Sequence, residues 1–156
     1  MPTTRPSPLP AKPRGDALAV RHGTFPLTVI GSIESTLLTT ERAPRQGSEG
    51  APDAWIVLDA AYTPGLTGIS VGDDLVVVTW LHRASRAVLE VYPRDEPRGP
   101  QIGVFGTRSP HRPNPLGLHR VKVREIVGTR LRIGPMEAIN GTPVVDVKAV
   151  LSGVDD

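Results

Sequence analysis

Short runs of alternating apolar and β-branched residues recur along this chain, and helical periodicity is almost absent. Phe25–Ile33 reads as a first strand ending near Gly31, and Ala54–Ala60 as a second. Asp74–His82 is apolar nearly throughout, the pattern of a central strand buried on both faces. Val88–Tyr92 is a short strand stopped by Pro93, and Gly103–Thr107 is a further strand-like run. Leu118–Ile126 alternates cleanly, with Val121, Val123 and Glu125 on one face and Arg120, Lys122 and Arg124 on the other. Gly128-Thr129 turns the chain into Arg130–Ile133, which repeats the pattern and completes a hairpin. Val144–Leu151 is the last strand, with Asp146 and Lys148 on one face, and it follows an Asn140-Gly141 turn. Leu66–Val71, entered through Pro64-Gly65, is a helical or turn segment. The pattern predicts an all-β, mainly β fold: a small single-sheet β-barrel of about seven strands with one or two short helical turns.

Two loops stand out between these runs. Glu34–Asp53 is long and polar, and long loops in compact domains tend to carry function. Arg108–Leu118, RSPHRPNPLGL, is the stiffer of the two. Pro110, Pro113 and Pro115 forbid helix and central strand, and each restrains the residue before it to extended conformations. Arg108, His111, Arg112 and Asn114 are thus presented with little entropy left to lose, as preorganised binding requires. The plainer reading is a proline-rich surface loop whose Pro110-x-x-Pro113 serves as a polyproline ligand.

Composition narrows the chemistry. The 156 residues fit one domain, and the absence of cysteine removes disulfides, thiolate metal sites and thiol nucleophiles. No apolar run reaches membrane-spanning length and no signal peptide is visible, so a soluble cytoplasmic protein without membrane contact is expected. Residues 1–24 are rich in proline and carry +3, which leaves −1 of the overall +2 for residues 25–156. This divides the chain into a disordered basic arm, 1–24, and a folded domain, 25–156. The cationic face of the 118–133 hairpin is either a solvated outer surface or an RNA contact. The four histidines show no metal-ligand spacing, so no metal is expected. Dinucleotide-fold, phosphate-loop and hydrolase signatures are missing.

The run GVFGTRSPHRPNPLGL, Gly103–Leu118, resembles the signature of the TsaA/TrmO-like family. Pro44-Arg45-Gln46-Gly47 and Asn140–Lys148 (NGTPVVDVK) match two further family motifs in order. The resemblance spans about residues 27–151. It implies a non-Rossmann β-barrel methyltransferase that uses S-adenosylmethionine and works as a homodimer. The family's best-known activity is N6-methylation of threonylcarbamoyladenosine beside the tRNA anticodon.

By position, the implied cofactor residues are Pro44, Arg45 and Gln46, His82 and Arg83, Arg108, Leu118, and the turn Ala138, Ile139, Asn140, Gly141. Arg108 or Arg45 suits the cofactor's carboxylate, and backbone groups of the turn suit its adenine. Arg112 and Asn114 are candidates for substrate binding. Asp146, His111 and His119 are candidates for a base that takes the proton from a weakly nucleophilic N–H. Asp146 and Lys148 also have a structural reading, as a pair on one strand face.

The chain departs from the family pattern at Asn140, where an aspartate is usual, and at His119, where a serine or threonine is usual. Some relatives carry a further C-terminal domain that helps hold tRNA. Ending at Asp156 with a body charge of −1 favours methyl-donor binding over RNA binding. A small-molecule or nucleoside acceptor, or a non-catalytic S-adenosylmethionine-binding module, are the alternatives.

Overall fold

A computed structural model of the chain describes residues 23–154, so the arm expected over 1–24 lies, but for Gly23 and Thr24, outside the described residues. Six antiparallel strands close into a barrel in the order β1-β2-β7-β6-β3-β8. They are β1 (Gly31–Glu34), β2 (Ala54–Leu58), β3 (Asp74–Trp80), β6 (Leu116–Val127), β7 (Arg130–Gly134) and β8 (Pro143–Ala149). β4 (Glu90–Val91) and β5 (Ile102–Gly103) pair with each other outside it.

Period-two alternation decides which side chains fill so narrow a barrel. Leu75, Val77 and Thr79 of β3 point inward while Asp74, Val76, Val78 and Trp80 keep partial exposure. Ile33, Ile56, Val77, Ile133 and Val144 are completely buried and form the centre of the core, with Met136 closing it from the segment after β7.

Several expected elements move. The first strand is Gly31–Glu34 alone; Phe25, Leu27 and Val29 are exposed and run along the outside of the barrel, because Pro26 interrupts the ladder donors. The second and third strands stop at Leu58 and Trp80, short of Ala60 and His82, and the third is buried on one face only. The helical segment is a 3-10 turn over Ala60–Leu66, earlier than Leu66–Val71, because Asp59 caps it by accepting from the Ala61 amide. The 103–107 run gives one strand residue, Gly103 of the pair Ile102–Gly103, and then a 3-10 turn, Val104–Gly106. β6 is longer than expected, and a register shift between Val123 and Glu125 turns Glu125 outward to Arg132 at 3.1 Å, so Glu125 leaves the inward face assigned to it. The last strand ends at Ala149 rather than Leu151.

The topology sorts the connections between two ends. Tight turns and the 60–66 segment occupy one end. The other is a mouth, where β1, β3 and β7 finish and β2, β6 and β8 begin. Residues 35–53, 81–89, 104–115 and 135–142 all open there.

Candidate functional site

Every motif loop of the sequence belongs to this mouth. The proline loop is held rigidly from beneath. The Arg112 guanidinium donates to three backbone carbonyls, Ser109 at 2.7 Å, Val104 at 3.0 Å and Thr107 at 2.7 Å. Arg86, on the loop after β3, donates from Nε to the Pro113 carbonyl at 2.7 Å and lies 5.2 Å over the Trp80 ring. Its Nη2 also reaches Asn114 Oδ1 at 3.4 Å. Arg112 and Asn114, the substrate-binding candidates, therefore spend polar groups on shaping the loop.

Arg108 differs. Its guanidinium is exposed at the start of the same loop and has no hydrogen-bond or ion-pair partner among the described residues. A rigid backbone under an unpaired guanidinium is the arrangement that receives a carboxylate. Arg45 instead pairs with Asp95 at 3.2 Å, beside a second bridge from Arg94 to Glu49 at 3.2 Å. These two pairs tie the Pro44–Gly47 loop to the 93–95 turn, where Arg94 and Asp95 take positive φ. Gln46, His82 and Arg83 are exposed, and Pro44 is half-buried. Arg83 faces Glu41, whose carboxyl sits below its ordinary range mainly through its own backbone amide and the Thr39 hydroxyl, with Arg83 a lesser cause.

The 138–141 turn is anchored to the 35–53 loop. The Asn140 amide donates to the Leu37 carbonyl, the Gly141 amide to Ile33, and Asn140 Oδ1 accepts from the Ser35 amide at 3.1 Å. Asn140 thus shapes a turn with its neutral amide where a carboxylate was the family's usual group. Ala138 and Ile139 are buried in the turn's interior. Leu118 is half-exposed on the outer face of β6.

The three candidate bases are placed quite differently. Asp146 lies 3.4 Å from Lys148 on the outer face of β8, with Oδ1 also accepting from the Val147 amide. His111 is exposed, and its Nδ1 accepts from the Ser85 amide at 3.0 Å, which assigns the proton of a neutral ring to Nε2. His119 is only 5% exposed, with Nε2 2.7 Å from Thr79 Oγ1 and Nδ1 2.6 Å from Glu137 Oε1. As arranged, neither histidine offers a free lone pair to the mouth, whereas the half-exposed Asp146 carboxylate keeps lone pairs beyond those that Lys148 and Val147 engage. The Thr79–His119–Glu137 chain escaped sequence reasoning because its members are far apart in sequence; only the inward phase of Thr79 and His119 hinted at it.

The cationic face of β6 and β7 is largely neutralised. Lys122 meets Asp74 at 2.9 Å, Arg130 meets Glu34 at 2.6 Å, and Arg132 bridges Asp53 and Glu125, with Arg124 also near Asp53. Among the described residues no cluster of His, Asp or Glu is arranged to hold a metal, and no helix is long and apolar enough to cross a membrane.

The model of the tRNA-methyltransferase O N-terminal domain matches residues 32–156. A protein of Archaeoglobus fulgidus named as S-adenosyl-L-methionine-binding is 37% identical over 129 residues, covering 83% of this chain and 91% of the relative. A second protein of that organism, named as probably S-adenosyl-L-methionine-binding, is 39% identical over 129 residues, 83% of this chain but 35% of the relative. A crystal structure of TrmO from Pseudomonas aeruginosa superposes with a TM-score of 0.71 at 25% identity, over 88% of this chain and 59% of that one. Another crystal structure of TrmO gives 0.70 at 27% identity, over 85% of this chain and 60% of that one. The chain therefore spans about a third of one curated relative's length and about three fifths of the solved structures.

Proposed function

The chain belongs to the tRNA-methyltransferase O N-terminal domain family, and from that premise we propose that it is an S-adenosylmethionine-dependent methyltransferase. The observation that carries this reading is the gathering of the family's motif loops around one mouth, with the Arg108 guanidinium, on a loop of that mouth, left without a partner among the described residues.

The residues present fit the methyl donor. Arg108 suits its carboxylate as a bidentate partner. Ala138 to Gly141 offer backbone groups to its adenine from a turn that Leu37, Ile33 and Ser35 already hold still. When bound, the donor supplies a methyl group on a sulfonium, which is electrophilic without further activation. The protein's share is then to align the acceptor nitrogen with that methyl and to exclude water, and the rigid proline loop is suited to both. With His111 and His119 engaged as described, the acceptor's proton passes to Asp146, to solvent or to a group of the acceptor itself.

The acceptor proposed is the N6 nitrogen of threonylcarbamoyladenosine in tRNA. A free nucleoside or other small acceptor is the second reading, and the pairing of the β6–β7 cations with Asp53, Asp74, Glu34 and Glu125 favours it. Homodimerisation belongs to the same proposal. An apolar groove of about 670 Å³ between the 25–29 segment and Trp80, Leu116 and Val145 gives a second subunit a surface to cover.

Incubation with methyl-labelled S-adenosylmethionine and either tRNA bearing threonylcarbamoyladenosine or the free nucleoside tests this reading. Transfer to tRNA that falls steeply with salt supports the first acceptor, because phosphate contacts release counterions. Transfer to the nucleoside alone supports the second. Transfer to neither, with donor bound, leaves a binding module and defeats the enzymatic proposal.

A further inference from the structure

The Thr79–His119–Glu137 chain lies directly beneath the mouth, and no step proposed above uses it. Thr79 is completely buried, and the His119 imidazole is its hydroxyl's one partner among the described residues. The hydroxyl hydrogen must therefore go to Nε2, which leaves the Nδ1 hydrogen for the Glu137 carboxylate at 2.6 Å. Each donor meets one acceptor, and the ring has no lone pair left for a substrate proton. So closed a chain also fixes the segments that it joins.

Glu137 shows what the chain holds. It sits in the segment between β7 and β8, one residue before the Ala138–Gly141 turn. β6 runs past the end of β7, since Lys122 is already opposite Gly134, so Leu116–Val121 have no β7 partner. The 135–141 segment crosses at that level, and His119–Glu137 is a side-chain link from it to the part of β6 that pairs with β3 alone. Glu137's second oxygen, Oε2, faces the other loop: a Cβ on Gly47 would lie 3.2 Å from it and 3.2 Å from the Pro135 carbonyl. The Pro44–Gly47 loop therefore rests on Pro135 and Glu137.

We propose that His119 is a positioning residue: pinned by Thr79 and Glu137, it fixes the 135–141 turn and the Pro44–Gly47 loop seated on it, and so sets the affinity for the adenosine end of the methyl donor. The inference rests on the methyl-donor reading for its functional consequence and on geometry alone for the positioning. A short, charge-assisted hydrogen bond shielded from water is well suited to the task, because its strength depends on both partners staying in place.

The experiment uses the full chain and two variants, Glu137→Ala and Glu137→Gln, with calorimetric titration of S-adenosylmethionine beside amide hydrogen exchange. Gln keeps an acceptor for the His119 Nδ1 hydrogen; Ala does not. The expected result is a Kd raised about tenfold or more in Glu137→Ala and largely restored in Glu137→Gln. Exchange at the Asn140 and Gly141 amides should quicken in the alanine variant while Ile56 and Val77 in the barrel keep wild-type protection. Unchanged affinity in Glu137→Ala, or exchange quickened equally throughout the barrel, overturns the proposal. Wild-type protein that takes up no S-adenosylmethionine overturns the methyl-donor reading instead, and the exchange at Asn140 and Gly141 still decides whether the link holds the turn.

Discussion

The Thr79 hydroxyl reaches His119 Nε2, 2.7 Å away, across the space that Gly117 leaves empty. Gly117 is opposite Thr79 in the β3–β6 ladder, and a Cβ there would stand 2.5 Å from Thr79 Oγ1 and 2.6 Å from His119 Nε2. Gly117→Ala should therefore separate the pair and leave a buried hydroxyl without an acceptor. We expect a loss of about 1–3 kcal/mol, the usual cost of an unsatisfied buried polar group. Urea unfolding gives the value, and a midpoint equal to wild type would contradict the arrangement.

Arg112 and Arg108 share a loop but should fail in different ways. Arg112→Ala removes donors from three backbone carbonyls and should cost about 2–3 kcal/mol of stability. Arg112→Lys should not rescue it, because a single ammonium does not reproduce the planar fork. Arg108→Ala should leave the melting temperature within about a degree of wild type, as expected of an exposed side chain without partners among the described residues. Thermal scans of the three variants together check this.

The barrel core should respond as close-packed interiors do. Ile133 is completely buried between β2 and β6, so Ile133→Ala should cost about 2–5 kcal/mol through lost transfer energy and a residual cavity. Val127→Ala, at an exposed position on the same hairpin, should stay within about 0.5 kcal/mol. Paired denaturation curves measure the contrast.

Asp74 gives a prediction in pH. The hydrogen bond from Lys122 Nζ, at 2.9 Å, is the main cause that holds its carboxyl below the ordinary range. A carboxyl whose pKa is lower in the folded state contributes stability above its unfolded pKa, about 3.9, and loses it as pH falls through the folded value. Asp74→Asn should therefore flatten the acid limb of the stability profile below about pH 4. The pair is solvent-exposed, so the change should be small. Unfolding midpoints of both proteins between neutral and acid pH test the sign.

The sequence made the fold class legible because period two is written plainly into β3, β6 and β7, where Val77, Val121 and Ile133 mark the inner face. It misled where tertiary context overrode the pattern. Phe25, Leu27 and Val29 alternate like a strand yet find no ladder partner. Glu125 sits in phase with Val121 and Val123 until a bulge rotates it out. The site was legible as loops, through the prolines at 110, 113 and 115 and the Asn140-Gly141 turn. Their convergence on one mouth follows from strand order, which no local pattern encodes. The roles of individual side chains were least legible. Whether a guanidinium is left exposed, as at Arg108, or meets its own backbone, as at Arg112, depends on carbonyls that only the folded loop brings within reach.

Calorimetric titration with S-adenosylmethionine, wild type beside Arg108→Ala, tests the central claim most directly. The wild type should show one donor site per chain and the variant a Kd raised at least about tenfold, with melting temperature unchanged. Equal binding by the two proteins, or none by the wild type, would contradict it.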